Sequence, residues 1–289
     1  MDKWNGKSKG FLFGYKFFVF CINKFGVTIP YFFTYFVALF YFIFLKKQRR
    51  GLIQFYQLAL RYSKPKAIVS SFINFSNFGK TLIDRIALLS KRKKVFSYSF
   101  YNENNLIDLK NRNTGGILLS GHIGNWENAG NLINMRITSK INVLILDAEH
   151  EKIKKYLNSK TGGQEFNIIP IKDDLSHLIL IKQALNKNEF IAIHADRYLN
   201  DNKCFEIPFF GRIAKFPMGP FILAEKFKVP IVFVYGMKKN NFHYDLYASE
   251  IFLKNTNANY ISQEYVKFME KMVLKYPTQW FNFYNYYAN

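Results

Sequence analysis

The sequence predicts an α/β fold: a mainly parallel central sheet flanked by helices, with an N-terminal apolar, membrane-associated helical region in front of it. Three observations predict it. From about residue 105, short apolar runs alternate with helix-period stretches, the pattern of parallel strands joined by crossover helices. Between Phe25 and Leu45 the chain carries no charge at all. The 289 residues are 49% hydrophobic, enough to build a sizeable core rather than a disordered chain.

The N-terminal region comes first. Lys3, Lys7, Lys9 and Lys16 precede the run FGVTIPYFFTYFVALFYFIFL, and Lys46, Lys47, Arg49 and Arg50 follow it. A charge-free run of about 20 residues is long enough to cross a bilayer. Pro30 and the many rings make it less lipid-like than a leucine-rich span. Three placements stay open: a single span, a helix lying in the interface, or the core helix of a soluble protein. A span puts the basic flank, and the rest of the chain, on the cytoplasmic side. A helix lying flat is held by the same cations against anionic headgroups. No small-residue cleavage site follows, so a cleaved signal peptide is not expected. Residues 1–50 are therefore read as an anchoring or interfacial segment and 51–289 as the α/β domain.

Next, Leu52–Ser63 reads as a helix on its apolar spacing, and Ile68–Ser90 as another with a break near Gly79. Lys91–Lys94 reads as a solvated basic loop. Strands are expected at Gly116–Ser120, Ile141–Leu146, Asn167–Ile171, Phe190–His194, Val229–Tyr235 and Tyr244–Phe252. Helices are expected at Asn125–Ile137, Glu149–Leu157, Leu175–Leu185, Gly219–Phe227 and Tyr260–Tyr276.

Charge and aromatic content narrow the partners. Lys and Arg number 41 against 20 Asp and Glu, a net charge of +21. Such an excess favours an anionic partner. No helix-turn-helix, zinc-ligand spacing or aromatic RNA-binding motif accompanies it, so nucleic acid is disfavoured. The 32 Phe and 19 Tyr point instead towards lipid or another greasy ligand. Cys21 and Cys204 lie far apart, and a reducing compartment is the simplest reading. No cluster has metal-ligand spacing, and no Gly-x-Ser-x-Gly elbow marks a serine hydrolase.

The most informative segment is Gly115–Glu127, GGILLSGHIGNWE. A buried strand runs into a glycine-rich turn, and a helix begins near Asn125. His122 then sits at the carboxyl end of a strand, where open α/β sheets bind ligands. Glu127 falls in the first turn of the helix, where a carboxylate is favoured. A carboxylate on one imidazole nitrogen fixes the tautomer and raises the basicity of the other, which can then take a proton from a hydroxyl. The spacing alone is weak: composition gives about 0.35 chance matches. The strand–Gly–His–x–Gly context is what raises it. His194, at another strand end on the same side, reads as a core histidine.

The stretch LSGHIGNWE resembles the His-x4-acid block of the lysophospholipid acyltransferase superfamily. The closest likeness is to the bacterial lipid A lauroyl/myristoyl acyltransferases, through Gly121, His122, Gly124, Asn125, Trp126 and Glu127. Further blocks resemble that branch in the same order: His194-Ala195-Asp196-Arg197, then Pro208-Phe209-Phe210-Gly211-Arg212 with Pro217-x-Gly219-Pro220. Val229-Pro230-Ile231-Val232 and Pro277-x-Gln279-Trp280-Phe281 follow. The likeness covers roughly residues 110 to 285. Two departures matter. The Phe-Pro-Glu-Gly-Thr-Arg block of glycerolipid acyltransferases is absent, which argues against a simple glycerol-phosphate acceptor. After Trp280-Phe281 the usual His and Arg-Trp residues are replaced by Asn282-Phe283-Tyr284-Asn285-Tyr286-Tyr287, which leaves the acceptor open.

The resemblance implies transfer of a fatty acyl group from an acyl carrier protein or coenzyme A thioester to a hydroxyl of a lipid A precursor. It implies a site on the cytoplasmic face of a bacterial inner membrane and no bound cofactor. His122 is expected as the base and Glu127 as its orienting acid. Gly121, Gly124, Asn125, Asp196, Arg197 and Arg212, with Lys215 behind them, are expected on the substrate and oxyanion side. Anionic lipid headgroups and acidic acyl carrier protein are the expected partners of the basic surface. An amino-acid-containing lipid as acceptor, or a non-catalytic membrane-binding protein, are the competing readings. Oligomeric state and acyl length are not encoded in any pattern found.

Overall fold

The computed structural model describes residues 12–89, 95–126, 129–130, 133, 137, 139–145, 166–172, 174–198, 203–253 and 257–287. Glu127, Lys91–Lys94 and the helix expected over Glu149–Leu157 lie outside these residues.

The described strands are β1 (Ser97–Tyr101), β2 (Gly116–Ser120), β3 (Ile141–Ile145), β4 (Asn167–Pro170), β5 (Phe190–His194), β6 (Cys204–Phe209), β7 (Arg212–Pro217), β8 (Ile231–Asn240) and β9 (His243–Ala248). Seven of them form one sheet in the order β1-β9-β8-β2-β5-β3-β4, and β6 and β7 form a separate hairpin. Every pairing in the sheet is parallel except β8 with β9. The mainly parallel α/β architecture expected from the sequence is therefore present. β2, the strand that carries the motif, is buried along its whole length between β8 and β5. That is the position its unbroken apolar run suits.

Alternate residues of the central strands serve two cores. Ile117 and Leu119 of β2, Ile191 and Ile193 of β5, and Ile231 and Phe233 of β8 pack on one face. There they meet helix α8 (Ala258–Lys275) through Tyr265, Val266 and Met269, and helix α7 (Gly219–Phe227) through Phe221 and Ala224. The α8 helix starts at Asn257, whose side chain accepts from the backbone N–H groups of Asn259 and Tyr260, a regular N-cap. On the other face Leu118, Phe190, Val232 and Val234 pack with Ile133 and Ile137 and with Leu106 and Leu109 of α5 (Glu103–Asn111). Helix α6 (Ser176–Asn186) covers the first face through Ile181, Ala184 and Leu185.

The N-terminal layer departs most from expectation. The charge-free run is not one helix. Gly26, at φ +75°, separates α1 (Leu12–Phe25) from α2 (Thr28–Phe44). A bend of 93° then separates α2 from α3 (Lys46–Leu58), where the basic residues begin. Among the described residues no single helix is long and apolar enough to cross a membrane. A stripe of α2, Pro30, Tyr31, Thr34 and Ala38, is buried. It lies on α4 (Lys64–Leu89), which runs through Gly79 without the expected break. Gly79 serves packing instead: a Cβ there would stand 2.4 Å from Thr34 Cγ2. The missing side chain lets the two helices approach.

Three elements escaped the sequence reading. β1 and α5 have weak patterns. The β6–β7 hairpin turns on Phe210 and Gly211, both at positive φ (51° and 73°). Two consecutive left-handed residues are the signature of a tight hairpin turn, and Phe210 disguises it.

Candidate active site

The site is built where β2 and β5 end side by side. These strands are parallel and Ser120 registers with His194, so the segments that leave them, Gly121-His122 and Ala195-Asp196, run on together. The approach is close. A Cβ on Gly121 would lie 2.9 Å from the Tyr265 hydroxyl and 3.1 Å from Asp196 Cγ. Only glycine fits between them.

His122 and Asp196 meet through two hydrogen bonds. The backbone N–H of His122 donates to Asp196 Oδ2 at 2.9 Å. The ring Nδ1 lies 2.8 Å from Asp196 Oδ1. Asp196 is fully buried, and Trp280 Nε1–H donates to its Oδ2 at 3.2 Å. Burial raises the Asp196 pKa, but the charge and hydrogen bond of His122, with the Arg197 guanidinium, outweigh it and hold the carboxyl well below the usual carboxylate range. An ionised Asp196 can only accept, so it fixes the proton of the neutral imidazole on Nδ1. Burial and the Arg197 charge lower the His122 pKa, against the raising pull of Asp196. The ring is therefore neutral at physiological pH.

The turn is clamped from both sides. Gly124, at φ +64°, packs so tightly on β8 that a Cβ would sit 2.2 Å from Gly236 O. Its N–H donates to Gln279 O, the N–H of Phe281 donates to His122 O, and Ile123 forms an antiparallel bridge with Trp280. The segment Pro277–Phe281 thus folds back as a short strap over the His122 turn. Gln279 extends the clamp by a two-way amide exchange with the backbone of Lys238. Tyr265 donates to Ser120 O at 2.8 Å. Tyr286, in the segment that departs from the expected C-terminal pattern, donates to Asp196 O and packs on Trp280.

The other residues singled out by the sequence separate into groups. Asn125 is buried, and its amide donates to Thr81 O and the Tyr244 hydroxyl, so it ties the turn to α4 and β9. Arg197 donates to Phe281 O at 2.7 Å, fastening the strap while its charge acts on His122 and Asp196. Arg212 stands exposed at the β6–β7 turn, and Lys215 pairs in register with Glu206 on the same hairpin. Asp196, assigned from sequence to the substrate side, is the residue in contact with the His122 ring. The sequence named both residues but not their contact, which follows from β2 and β5 lying side by side with Ser120 in register with His194. Gln279 and Trp280 fall in the C-terminal block singled out by the sequence, but their contacts with the turn, like that of Tyr265, are made by tertiary packing.

His194 faces the same edge. Its ring centroid lies 4.6 Å from that of His122 and 5.4 Å from Trp126, which also contacts His122 at 5.3 Å. Burial, then the neighbouring His122, lower the His194 pKa to about 3. Among the described residues no group of three His, Cys, Asp or Glu side chains is placed to hold a metal ion. The chemistry on offer is proton transfer by an oriented imidazole at the end of a buried strand.

No curated protein sequence matches the chain at a significant level. The sequence profile of the bacterial lipid A biosynthesis acyltransferases matches residues 9–288, almost the entire chain. The protein belongs to the bacterial lipid A biosynthesis acyltransferase family.

Proposed function

We propose that this acyltransferase moves a fatty acyl chain from an acyl carrier protein or coenzyme A thioester to a hydroxyl of a lipid A precursor, with His122 as general base and Asp196 as its orienting acid. The observation that carries the reading is the 2.8 Å contact between His122 Nδ1 and Asp196 Oδ1 at the strand end. With Nδ1 turned to Asp196, Nε2 takes the proton of the acceptor hydroxyl. The oxygen attacks the thioester carbonyl, and the imidazolium that forms is stabilised by the buried carboxylate. When the carbon–sulfur bond breaks, the thiolate takes that proton back. Glu127, the orienting acid expected from the sequence, lies outside the described residues and is a second candidate acid for the same base in this reading.

The reaction belongs on the cytoplasmic face of the inner membrane. The support is the outer face of α2. Phe32, Phe36, Phe40 and Phe44 form one row at helical spacing, each 56–65% exposed. Phe20 on α1 and Val69 and Ile73 on α4, two helices that pack with α2, are exposed as well. Exposed apolar area on this scale marks an interaction surface. Lys46, Lys47, Arg49 and Arg50, at the sharp bend that ends the row, suit anionic headgroups. The helix lies in the interface rather than crossing it.

The test is incubation of the purified protein with lauroyl and myristoyl thioesters of acyl carrier protein and coenzyme A and a panel of lipid acceptors. Acyl transfer to a lipid A precursor, lost in His122→Ala, is expected. Transfer only to an amino-acid-containing lipid would overturn the acceptor, and no transfer from any thioester would overturn the reading.

A further inference from the structure

A base alone does not complete an acyl transfer. The carbonyl oxygen gains a full negative charge in the tetrahedral intermediate, and donors must face it. Next to His122, on the second face of the sheet, lies a cavity of about 40 Å³ lined by Ser120, Trp126, Gly130, Ile133, Val143 and His194. It has room for a carbonyl group, not for a chain. Among the described lining residues the polar side chains, besides the Trp126 indole, are two: Ser120 and His194.

These two are register partners on the parallel strands β2 and β5. Register partners of a parallel pair point to the same face, about 4.8 Å apart. Leu118, two residues before Ser120, lines the same cavity, as strand alternation requires. Ser120 is only 6% exposed, and its Oγ is buried with no hydrogen-bond partner among the described residues. A buried hydroxyl left unsatisfied is a cost to the folded state, because its lost hydration is not replaced. Such a cost is retained where a ligand supplies the partner. His194 stands against the rings of His122 and Trp126. A neutral imidazole always carries one N–H donor.

We propose that Ser120 and His194 are catalytic residues that together bind the thioester carbonyl oxygen and stabilise its oxyanion. This rests on the acyl-transfer reading of His122. As the acceptor oxygen bonds to the carbonyl carbon, its proton passes to His122 and the carbonyl π pair moves onto oxygen. The Ser120 O–H and the His194 N–H donate to that oxygen. The pair then re-forms the carbonyl, the carbon–sulfur bond breaks, and the thiolate leaves with the proton from His122. Both histidines are used, as base and as neutral donor, and no water needs to enter the cavity. Arg197, expected from sequence on the oxyanion side, is turned to Phe281 O instead.

The test measures lauroyl transfer from lauroyl acyl carrier protein to a lipid A precursor, with kcat and KM separated for both substrates. The proteins are wild type, Ser120→Ala, His194→Phe and His194→Gln. Loss of an oxyanion donor costs about 10²- to 10³-fold in kcat. Ser120→Ala and His194→Phe are expected to lose kcat on that scale, with both KM values within a few-fold of wild type. His194→Gln keeps an N–H donor and is expected to retain much of the activity that His194→Phe loses. Ser120→Ala removes an unpartnered hydroxyl, so its thermal midpoint should hold or rise. If His194→Phe does not fold, Ser120→Ala and His194→Gln decide. Wild-type kcat in Ser120→Ala, or an effect confined to the acceptor KM, overturns the oxyanion site alone. A wild-type protein that moves no acyl group overturns the underlying reading and this site with it.

Discussion

Asp196 and Asp84 are both fully buried beside basic side chains, and their pKa values are shifted in opposite directions. Asp196 is held well below the usual carboxylate range, because His122 and Arg197 outweigh its burial. Asp84, on α4, is pushed up, because burial outweighs the Lys238 ammonium and three hydrogen bonds. Lys238 is in turn pushed down, chiefly by burial. The Asp84 cluster is sealed. Lys238, Tyr31 and Tyr244 all donate to its carboxylate. Three rings, those of Tyr31, Phe96 and Tyr244, lie within 5.3 Å of the Lys238 nitrogen. The cluster joins α2, α4, β8 and β9. The Asp196 cluster instead lies at the carboxyl edge of the sheet, beside a cavity. Burial alone therefore does not identify a reactive carboxylate. Access to a ligand and the state of its partner do.

The largest effect belongs to the base. His122→Ala should lower acyl transfer by about 10²- to 10⁴-fold with the melting transition still cooperative, as a transfer assay beside a melting curve will show. Asp84→Asn should do the reverse. Removing one partner of a buried pair costs about 3–5 kcal/mol, read from the denaturant midpoint, while the rate per folded molecule stays within a few-fold. The double variant Asp84→Asn with Lys238→Met should recover much of that stability, and no recovery would show that the pair is not the source of the loss.

The α2 surface comes next. Burying one phenylalanine side chain contributes about 1.5–3 kcal/mol. Phe32, Phe36, Phe40 and Phe44 changed together to Ser should abolish sedimentation with anionic vesicles and spare the fold, since the buried stripe of α2 is untouched. Binding that persists would move the membrane surface elsewhere.

The pH dependence is the smallest and sharpest effect. The base must be neutral to act, and His122 is lowered from its ordinary 6.5. The acid limb of kcat/KM should therefore fall below pH 6.5. Asp196 is the group that raises the His122 pKa, so the residual activity of Asp196→Asn should show that limb moved further to acid.

Much of the fold was legible because β2, β3, β5 and β8 are short apolar runs between glycines and helical periods, and parallel strands leave that pattern. The N-terminal layer was not. Gly26 and the bend before Lys46 are backbone features inside an unbroken apolar run, and hydropathy does not register them. Gly79 misled for a related reason: a glycine that admits Thr34 looks the same in sequence as one that breaks a helix. At the site, His122 and its glycine turn were legible from local context. The Asp196 contact was not, because it depends on which strand lies next to β2, and Ser120 looked like the end of an apolar run.

The central claim is that Asp196 holds the base. Its most direct test is the rate of lauroyl transfer by folded Asp196→Asn, measured beside wild type and Glu127→Gln. A loss of about 10²-fold or more is expected in Asp196→Asn, with the melting transition still cooperative. Transfer by Asp196→Asn at the wild-type rate would contradict it.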